Sequence, residues 1–438
     1  MLWSMEINYD AVVAGCGPGG SSAAAFLAKA GKRVLVLEQE VFPRFHIGES
    51  LLPYNQAIFR ELGVLPAIEA AGFPRKLAAR FCLTHGQPST RFVFGAGKFC
   101  HEPGVFSVER ATFDHILLKH ARSCGADIRE GWAVTKTTAA PEGVTVSARD
   151  PAGTIHNFKA SFLIDATGRT NLTGNQEGVR EIHPHHKKLA VFNHFTGVVR
   201  DPGEADGDTI IVRLENKWFW IIPVTAEKTS VGLVIDREEY QAEGVAPDEV
   251  FQRWAKSSAA VQERLRDARP AGPFRTTTDF SYSNRKLVSQ RTLRIGDAAG
   301  FMDPIFSAGV YLAMWSGKLA AEVVNQAVTQ RNDGARALAK FEKRVHAGLR
   351  FYWRMVENYY TTPFIELFLQ PRNHARLPDA IISVLAGQLE GGWNLRWRLA
   401  YFFFLVKMQA RRPLVPRLSF RAVPRHEAGA RRPLATKA

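Results

Sequence analysis

The pattern of hydrophobic and polar positions changes three times along the chain. The first segment, YDAVVAGCGPGGSSAAAFLAKAGKRVLVLEQE, predicts a buried strand, a glycine turn, an alanine-rich helix and a second buried strand. Strand-like alternation follows within residues 76–104 and 181–284, as in RFVFGAGKF, KLAVFNHFTGVV and KWFWIIPV. From Ala335 the stretch LAKFEKRVHAGLRFYWRMVENYY has apolar residues at helical spacing. The pattern therefore predicts an α/β beginning, a β-rich middle and a helical C-terminal region.

The first strand–turn–helix–strand unit contains the G-x-G-x-x-G pattern at Gly15, Gly17 and Gly20. An acid, Glu38, follows about 20 residues later, as a dinucleotide-binding site requires. Gly15 is expected to form the turn, Gly17 to let the backbone approach a pyrophosphate, and Gly20 to let the helix pack on the strand. The N–H groups at the start of the helix would face the phosphates, and Glu38 would accept a ribose hydroxyl.

Composition limits the classes of protein to consider. A length of 438 residues predicts about two to three domains, and the four scattered cysteines form no C-x-x-C pair. We therefore expect no disulfide framework, no zinc site and a reducing, cytoplasmic setting. Neither a secretory signal nor an apolar run of bilayer length is present, so no integral membrane segment is expected. His183, His185 and His186 lack a supporting carboxylate spacing, and we predict no metal.

The net charge of +15 is unevenly distributed. Residues 411–438 contain seven arginines and Lys437 against one acid, Glu427, and so account for +7 of the total. Together with four prolines, this charge predicts a solvated, partly disordered basic tail. The chain lacks the aromatic–basic interleaving and finger spacing of nucleic-acid binders, so we expect no nucleic acid partner. An acidic protein partner suits this charge better.

Three further segments extend the dinucleotide pattern. They are FPRFHIGESLLP from Phe42, FLIDATGR from Phe162 and LRIGDAAGFMDPIFSAGVYLAMWSGKLAA from Leu293. With them the chain resembles the FAD flavoproteins of the two-dinucleotide-binding-domain class, which include p-hydroxybenzoate hydroxylase, geranylgeranyl reductases and flavin-dependent halogenases. The resemblance implies a Rossmann-like FAD domain (8–75, 105–180 and 285–335), an inserted β-sheet substrate domain (76–104 and 181–284), a helical region (336–410) and the basic tail (411–438).

The same resemblance implies the residues of an FAD site. A late G-D motif places Asp297 on a ribityl or ribose hydroxyl. The implied cofactor contacts are Gly15, Gly17, Gly20, Glu38, Arg44, Ile47, Gly48, Arg110, Asp297, Gly300 and Pro304. An ordinary helix-face role remains the simpler interpretation for Arg110, and a solvated or capping role is the simpler one for Asp114.

Within that class, three features resemble the flavin-dependent halogenases. The first is W-x-W-x-I-P, with Trp218, Trp220 and Pro223, and the second is F-x-x-P-x-x-S-x-G from Phe301 to Gly309. The third is Lys76 in GFPRK, where halogenases have an essential lysine. No acid adjoins Ser307 in DPIFSAGV, and this resembles the phenol, pyrrole and carrier-protein-linked branch rather than the tryptophan halogenases.

The halogenase resemblance implies a reaction. Reduced FAD from a separate flavin reductase, dioxygen and chloride or bromide would give hypohalous acid. Backbone N–H groups of Ser307, Ala308 and Gly309 would bind the halide. The acid would pass a wall formed by Trp218, Trp220 and Pro223 and reach Lys76 through a tunnel. There it would halogenate an electron-rich phenolic or pyrrolic substrate, either free or tethered to an acidic acyl or peptidyl carrier protein.

Other functions share part of this pattern. An FAD-dependent monooxygenase or a geranylgeranyl-reductase-like oxidoreductase would contain every FAD motif, but would need neither Lys76 nor an indole wall. A non-enzymatic flavin-binding or carrier-binding protein is a third possibility. The two tryptophans could also be ordinary core residues of a sheet.

Overall fold

The computed structural model describes residues 8–184, 186–277 and 281–420. In chain order, its strands are β1 Tyr9–Ala14, β2 Val34–Glu38, β3 Arg75–Lys76, β4 Ala78–Leu83, β5 Ser89–Val93, β6 Val105–Phe106, β7 Asp127–Glu130, β8 Ala133–Ala140, β9 Gly143–Arg149, β10 Ile155–Asp165, β11 Arg180–Ile182, β12 Lys188–Thr196, β13 Thr209–Arg213, β14 Trp218–Pro223, β15 Lys228–Asp236, β16 Arg269–Pro270, β17 Arg275–Thr277, β18 Tyr282–Asn284, β19 Val288–Ser289, β20 Thr292–Arg294 and β21 Gly300–Phe301.

The helices, again in chain order, are α1 Pro18–Lys29, α2 Asn55–Leu62, α3 Leu65–Ala70, α4 Arg110–Ser123, α5 Leu172–Gln176, α6 Arg237–Glu243, α7 Pro247–Lys256, α8 Ala259–Leu265, α9 Gly309–Gln330, α10 Ala335–Tyr359, α11 Thr362–Leu369, α12 Leu377–Ala386 and α13 Trp393–Arg411. In the part of the chain that the structure describes, none of these helices combines the length and apolar character needed to cross a bilayer.

The first sheet has the strand order β19-β20-β10-β1-β2-β7, and its central strands run parallel. The central strands β1 and β2 are nearly continuous apolar runs because both faces of the sheet are covered there. Ala11 and Val13 belong to the large core that contains α1 and α9, whereas Val12 and Ala14 pack with Val144 and its neighbours in the β8–β9 hairpin. The predicted α/β, Rossmann-like fold is confirmed.

The second sheet has the order β16-β12-β15-β14-β13-β4-β5, mostly antiparallel, with β17 beside β12. Its two faces have different neighbours. Phe219 packs with Phe251 on the side of α7, whereas Trp218 and Trp220 face the large core shared with the first sheet. Alternation along β14 therefore directs both indoles towards the space between the two sheets.

The chain still contacts the helices beyond residue 411, where the basic tail was predicted to begin. After α13 ends at Arg411, the N–H groups of Leu414 and Val415 donate to the Gln409 side chain, Val415 is buried, and Arg417 pairs with the buried Glu366. Most side chains of residues 412–420 are exposed, but Val415 and these bonds hold the segment against α11 and α13. The remainder of the basic tail, 421–438, lies outside the described residues.

Candidate active site

A cavity of about 510 Å³ lies between the first sheet, the second sheet and the start of α9. All but one of the residues that the sequence assigned to the FAD site contribute to its lining. The exception is Gly20, which was expected both to let the helix pack on the strand and to contact the cofactor, and which lies outside the lining. These lining residues are Gly15, Gly17, Glu38, Arg44, Ile47, Gly48, Arg110, Asp297, Gly300 and Pro304.

The glycine turn forms one end of this cavity. Gly15 has φ of +96°, and a Cβ there would lie 2.4 Å from the Ala166 carbonyl oxygen. A Cβ on Gly20 would lie 2.0 Å from the Gly15 oxygen, so the first turn of α1 can approach β1 only with glycine at this position. Helix α1 begins at Pro18, directly after Gly17, and its free N–H groups make this end suitable for a pyrophosphate.

Glu38 stabilises the same turn. Its carboxylate accepts hydrogen bonds from the N–H groups of Cys16 (2.6 Å) and Glu40 (2.9 Å). Burial raises the pKa of Glu38 above its ordinary value, although these two bonds oppose the rise. Each carboxylate oxygen can accept a second hydrogen bond, so the side chain can still accept a ribose hydroxyl.

Arg110 and Asp114 form a buried ion pair beside the cavity. Arg110 donates two hydrogen bonds of 2.8 Å to Asp114 and one each to the carbonyl oxygens of Ile47 (3.0 Å) and Gly48 (3.1 Å). Arg44 adds a third bond to Asp114. Burial alone would raise the pKa of Asp114, but the two guanidinium groups lower it below its usual value. The helix-face interpretation of Arg110 and the solvated interpretation of Asp114 are therefore wrong, because the pair anchors the 47–48 backbone that lines the cavity.

Asp297 also lines the cofactor cavity. Its side chain is half-buried, and the loss of water around the carboxylate raises its pKa to about 6 against the opposing effect of Arg169 and Arg110. A cofactor hydroxyl that donates to this carboxylate would favour its charged form. Glycines at positions where a side chain would clash, a free helix start and a half-buried acid together fit FAD.

The loop before α9 lies at the far end of the same cavity. A short turn, Pro304–Phe306, leads to Ser307, whose φ of +56° is left-handed, and then into the 22-residue helix α9. Ser307, Ala308 and Gly309 all line the cavity. However, the Ser307 N–H donates to the Pro304 carbonyl at 2.8 Å. Ala308 and Gly309, at the positive end of a long helix, are therefore the better donors for an anion.

Two indoles form a wall of the cavity. The rings of Trp218 and Trp220 lie 5.9 Å apart at 53°. The Trp220 Nε1–H donates to Ser230 Oγ at 3.0 Å, and a Cβ on Gly232 would lie 2.2 Å from this indole. Both tryptophans line the cavity, but Pro223, assigned to the same wall, does not, although its neighbour Ile222 does.

A hydrogen-bond chain that the sequence did not predict joins this wall to the loop before α9. The Trp218 Nε1–H donates to the Tyr360 hydroxyl (2.9 Å), which donates to Asp303 Oδ2 (2.6 Å). Asp303 in turn accepts the Ile305 N–H (3.1 Å) and so caps the turn. Burial raises the pKa of Asp303 despite these bonds. The sequence gives no signal for Tyr360, because only the C-terminal end of α10 brings it to this site.

Lys76 is a buried amine outside the cavity lining. Its side chain is only 2% exposed, and its Nζ donates to Ser50 Oγ (2.8 Å) and the Leu51 carbonyl (2.9 Å). The Phe94 ring lies 5.5 Å from Nζ. Burial lowers the pKa of Lys76 to about 7, against a weaker opposing effect of Asp208. Ser50 itself lines the cavity, so it contacts both the cofactor space and the lysine.

Sequence reasoning also missed Glu49, next to Ser50 in the quoted GES segment. Glu49 lines the cavity, is 2% exposed, and accepts a hydrogen bond from His194 Nε2 at one oxygen. Its second oxygen, Oε2, is buried without a hydrogen-bond partner among the described residues. This oxygen is therefore available to a group that enters the cavity.

The histidine cluster has a packing role. His183 and His186 lie in a loop, are half-buried and pack against Trp353, with ring centroids 3.9 and 5.8 Å from that of the indole. His185 lies outside the described residues. Residues 8–184, 186–277 and 281–420 contain no cluster of ligands suited to a metal ion.

Comparison with known proteins identifies the family. The FAD binding domain model matches residues 8–336. A 1H-pyrrole-2-carbonyl-(peptidyl-carrier protein) chlorinase of Pseudomonas fluorescens is 31% identical over 414 residues, which is 89% of this chain and 91% of the relative. The solved flavin-dependent brominase Bmp2 has a TM-score of 0.82 at 29% identity, with 92% of this chain and 99% of that chain covered. This chain belongs to the flavin-dependent halogenases.

The fold alone would not have decided the reaction of this halogenase. A flavoprotein/dehydrogenase from Cytophaga hutchinsonii has a TM-score of 0.83 at 26% identity, with coverage of 92% of this chain and 99% of that chain. A shared fold can support different chemistry, because the reaction depends on the groups that line the site. The family assignment therefore rests on the sequence relatives together with the solved brominase, and it gives the halogenase its FAD cofactor.

Proposed function

We propose that this halogenase converts chloride or bromide to hypohalous acid and that Lys76 directs the halogen onto an electron-rich phenolic or pyrrolic ring. The observation that carries this proposal is the position of Lys76. Its amine is buried, and that burial lowers its pKa to about 7. The amine donates a hydrogen bond to Ser50, which also lines the cofactor cavity. An amine in this position has no role in a monooxygenase whose substrate lies directly against the flavin.

The chain's own residues would hold the cofactor as follows. The turn at Gly15 and Gly17 would hold the pyrophosphate, Glu38 a ribose hydroxyl, and Asp297 a ribityl or ribose hydroxyl. Reduced FAD would be supplied by a separate flavin reductase. Together with dioxygen it would provide the oxidant that converts the halide to hypohalous acid. Chloride or bromide would bind at Ala308 and Gly309, because uncoordinated N–H groups at a helix start attract an anion without a cationic side chain.

The indole wall would separate halide oxidation from the organic substrate. Trp218 and Trp220 are fixed by hydrogen bonds to Tyr360 and Ser230, so their rings cannot easily turn aside for an aromatic guest. A small neutral molecule such as hypohalous acid needs much less space than an aromatic ring. Ser50 contacts both the cavity and Lys76, and these contacts support a route between the two that passes Ser50.

With a pKa of about 7, Lys76 is present as both amine and ammonium near neutral pH. The neutral amine would attack the halogen of the hypohalous acid and form an N–halogen bond, with release of water. The ring carbon of the substrate would then take the halogen, while the proton lost from the ring returns to the nitrogen. The ammonium form would instead polarise the acid by donating a hydrogen bond to it.

We also propose that the aromatic substrate arrives on an acidic acyl or peptidyl carrier protein. The chlorinase relative acts on a pyrrole-2-carbonyl group attached to a peptidyl carrier protein. The net charge of +15 on this chain would favour association with an acidic carrier.

Mass spectrometry of reactions with reduced FAD, dioxygen and bromide, offered both free and carrier-loaded aromatic acids, tests the reaction. We expect a brominated product with wild type and none with Lys76→Ala or the better-packed Lys76→Met. Both variants should still bind FAD and still produce hypohalous acid that a cyclic 1,3-dione trap detects. An unchanged yield of brominated substrate from Lys76→Met, or a hydroxylated product without bromine, would refute the proposal.

A further inference from the structure

Helix α13 presents an aromatic and basic surface to solvent. Trp393, Arg396, Trp397, Phe404, Lys407 and Arg411 recur at helical spacing along one side, and we call this set the α13 face. Trp393 is 77% exposed and Phe404 53% exposed, which is unusual for side chains of this size. The opposite side of the helix buries Leu395, Phe402 and Val406 in the core, so α13 is firmly seated and its exposed aromatics are not part of a loose end.

The charge of α13 is of one sign. Its 19 residues contain four basic side chains, Arg396, Arg398, Lys407 and Arg411, and no acid. Exposed tryptophan and phenylalanine among arginines are typical of protein interfaces, whereas isolated surface charges are normally mixed in sign. The face therefore suits a partner that is acidic and also offers apolar contacts.

The α13 face lies close to the segment that covers Lys76. The Arg398 guanidinium lies between the two: it sits 4.3 Å from the centre of the ring of Trp397, a member of the α13 face, and 4.8 Å from that of Phe99, which follows Phe94 by five residues. Five residues span at most about 18 Å, even fully extended. Because the Phe94 ring contacts Lys76, the segment 94–99 connects the buried amine with the α13 face. Helix α12 packs on the same segment, where a Cβ on Gly97 would lie 2.6 Å from Ile382.

The basic charge of α13 argues against two other occupants of this face, residues 421–438 and a second copy of the chain. Residues 421–438 contain four arginines and Lys437 against Glu427, so this part of the chain would be repelled by α13. A second copy packed symmetrically would bring the same arginines against one another. A carrier protein with an acidic surface has neither difficulty, and a carrier seated here would have its tethered substrate beside the cover of Lys76.

We propose that the α13 face is the docking surface for the acidic carrier protein that delivers the aromatic substrate. This inference rests on the carrier-linked form of the proposed function and adds the place where the carrier binds. Docking through Trp393 and Phe404 supplies apolar contact area, while Arg396 and Lys407 steer the carrier and fix its orientation.

Two double variants test the surface: Arg396→Glu with Lys407→Glu, and Trp393→Ala with Phe404→Ala. The matched control is Arg336→Glu with Lys340→Glu, a pair of equal charge that is also exposed, at the start of α10. Each protein is assayed with the carrier-loaded aromatic acid and with the same acid as a short untethered thioester. We expect the KM for the loaded carrier to rise at least tenfold in both test variants, with kcat unchanged. The untethered substrate and the control variant should behave as wild type.

Each other outcome has a definite meaning. An unchanged KM for the loaded carrier in the charge-reversed variant overturns the docking proposal but leaves the proposed halogenation standing. An equal loss of activity on the carrier-loaded and the untethered substrate has the same meaning. Wild type that halogenates only the untethered thioester also overturns it, whereas wild type that halogenates neither substrate refutes the proposed function itself. The face would be assigned to a membrane instead by the following result: wild type binds phosphatidylserine vesicles, the charge-reversed variant does not, and charge reversal leaves the KM for the carrier unchanged.

Discussion

At the scale of single residues, burial of Lys76 has a large energetic consequence. Its pKa falls from 10.5 to about 7 because the folded protein removes the ammonium from water, and Ser50 and Leu51 recover only part of that solvation. Below pH 7 both the folded and the unfolded chain hold the proton, so the folded state carries the full desolvation cost. Between pH 7 and 10.5 the unfolded chain binds more protons, and the stability of the folded state therefore rises with pH.

Replacement of Lys76 by Met should reveal this cost. Met has a similar length and no charge, so Lys76→Met should be most stabilised relative to wild type at pH 7 or below. That advantage should shrink by about 2 kcal/mol between pH 7 and 9. Urea unfolding of both proteins at the two pH values measures the difference. The exposed Lys340→Met is the control and should show no such trend; a pH-independent difference for Lys76→Met would contradict the depressed pKa.

At the scale of secondary-structure elements, Tyr360 connects three of them. It sits at the end of α10, accepts from Trp218 on β14 and donates to Asp303, which caps the turn before α9. Lys188 lies 4.3 Å from the centre of its ring, and Arg213 lies 5.1 Å away. The indole wall and the turn before α9 are thus held by one hydroxyl group.

Tyr360→Phe removes that hydroxyl and nothing else. We expect a loss of about 1 to 3 kcal/mol in the free energy of unfolding, because a buried carboxylate and an indole N–H lose their partner. The KM for bromide should rise several-fold, with little change in FAD affinity measured by fluorescence titration.

The neighbouring residue supplies a matched control. Tyr359 is also buried, but its hydroxyl has no hydrogen-bond partner among the described residues. Tyr359→Phe should therefore leave the bromide KM unchanged and cost no stability. Equal effects of the two substitutions would show that Tyr360 acts only through general packing.

At the scale of the whole molecule, the contact between α1 and α9 brings two parts of the cavity together. Helix α1 begins at the glycine turn and α9 begins after the 307–308 loop, and the starts of both helices line the cavity. A Cβ on Gly317 would lie 2.5 Å from the Gly19 carbonyl oxygen, which is part of the backbone and cannot move alone. Glycine is required here because the two helix backbones are in contact.

Gly317→Ala should therefore push α9 away from α1. Overpacking at such a contact costs about 1 to 3 kcal/mol of stability, and FAD affinity should fall together with halide affinity. Gly272, whose added Cβ would meet nothing within 4 Å, provides the control substitution Gly272→Ala. Thermal unfolding and FAD titration measure both effects, and unchanged FAD binding in Gly317→Ala would disprove the link between helix separation and the site.

The sequence by itself determined the parts of this protein that depend on local spacing. The G-x-G-x-x-G pattern, the period of two in WFWIIP and the helical period after Ala335 each reflect neighbours in the chain, and the structure has the predicted strand, wall face and helix there. Motif resemblance likewise identified the halogenase family, which the comparisons bear out, and selected Lys76 and the 307–309 loop, whose roles remain predictions.

Only the tertiary structure decided which distant groups meet. The pKa of Lys76 depends on its burial under Phe94 and on its contact with Ser50. The Arg110–Asp114 pair is held beside the 47–48 backbone, to which Arg110 donates. The Ser307 N–H is already used within its own turn, where it donates to the Pro304 carbonyl. Tyr360 and His194 reach the site from elements far away in sequence. Solvation and hydrogen-bond geometry are properties of the packed molecule, and no spacing along the chain encodes them.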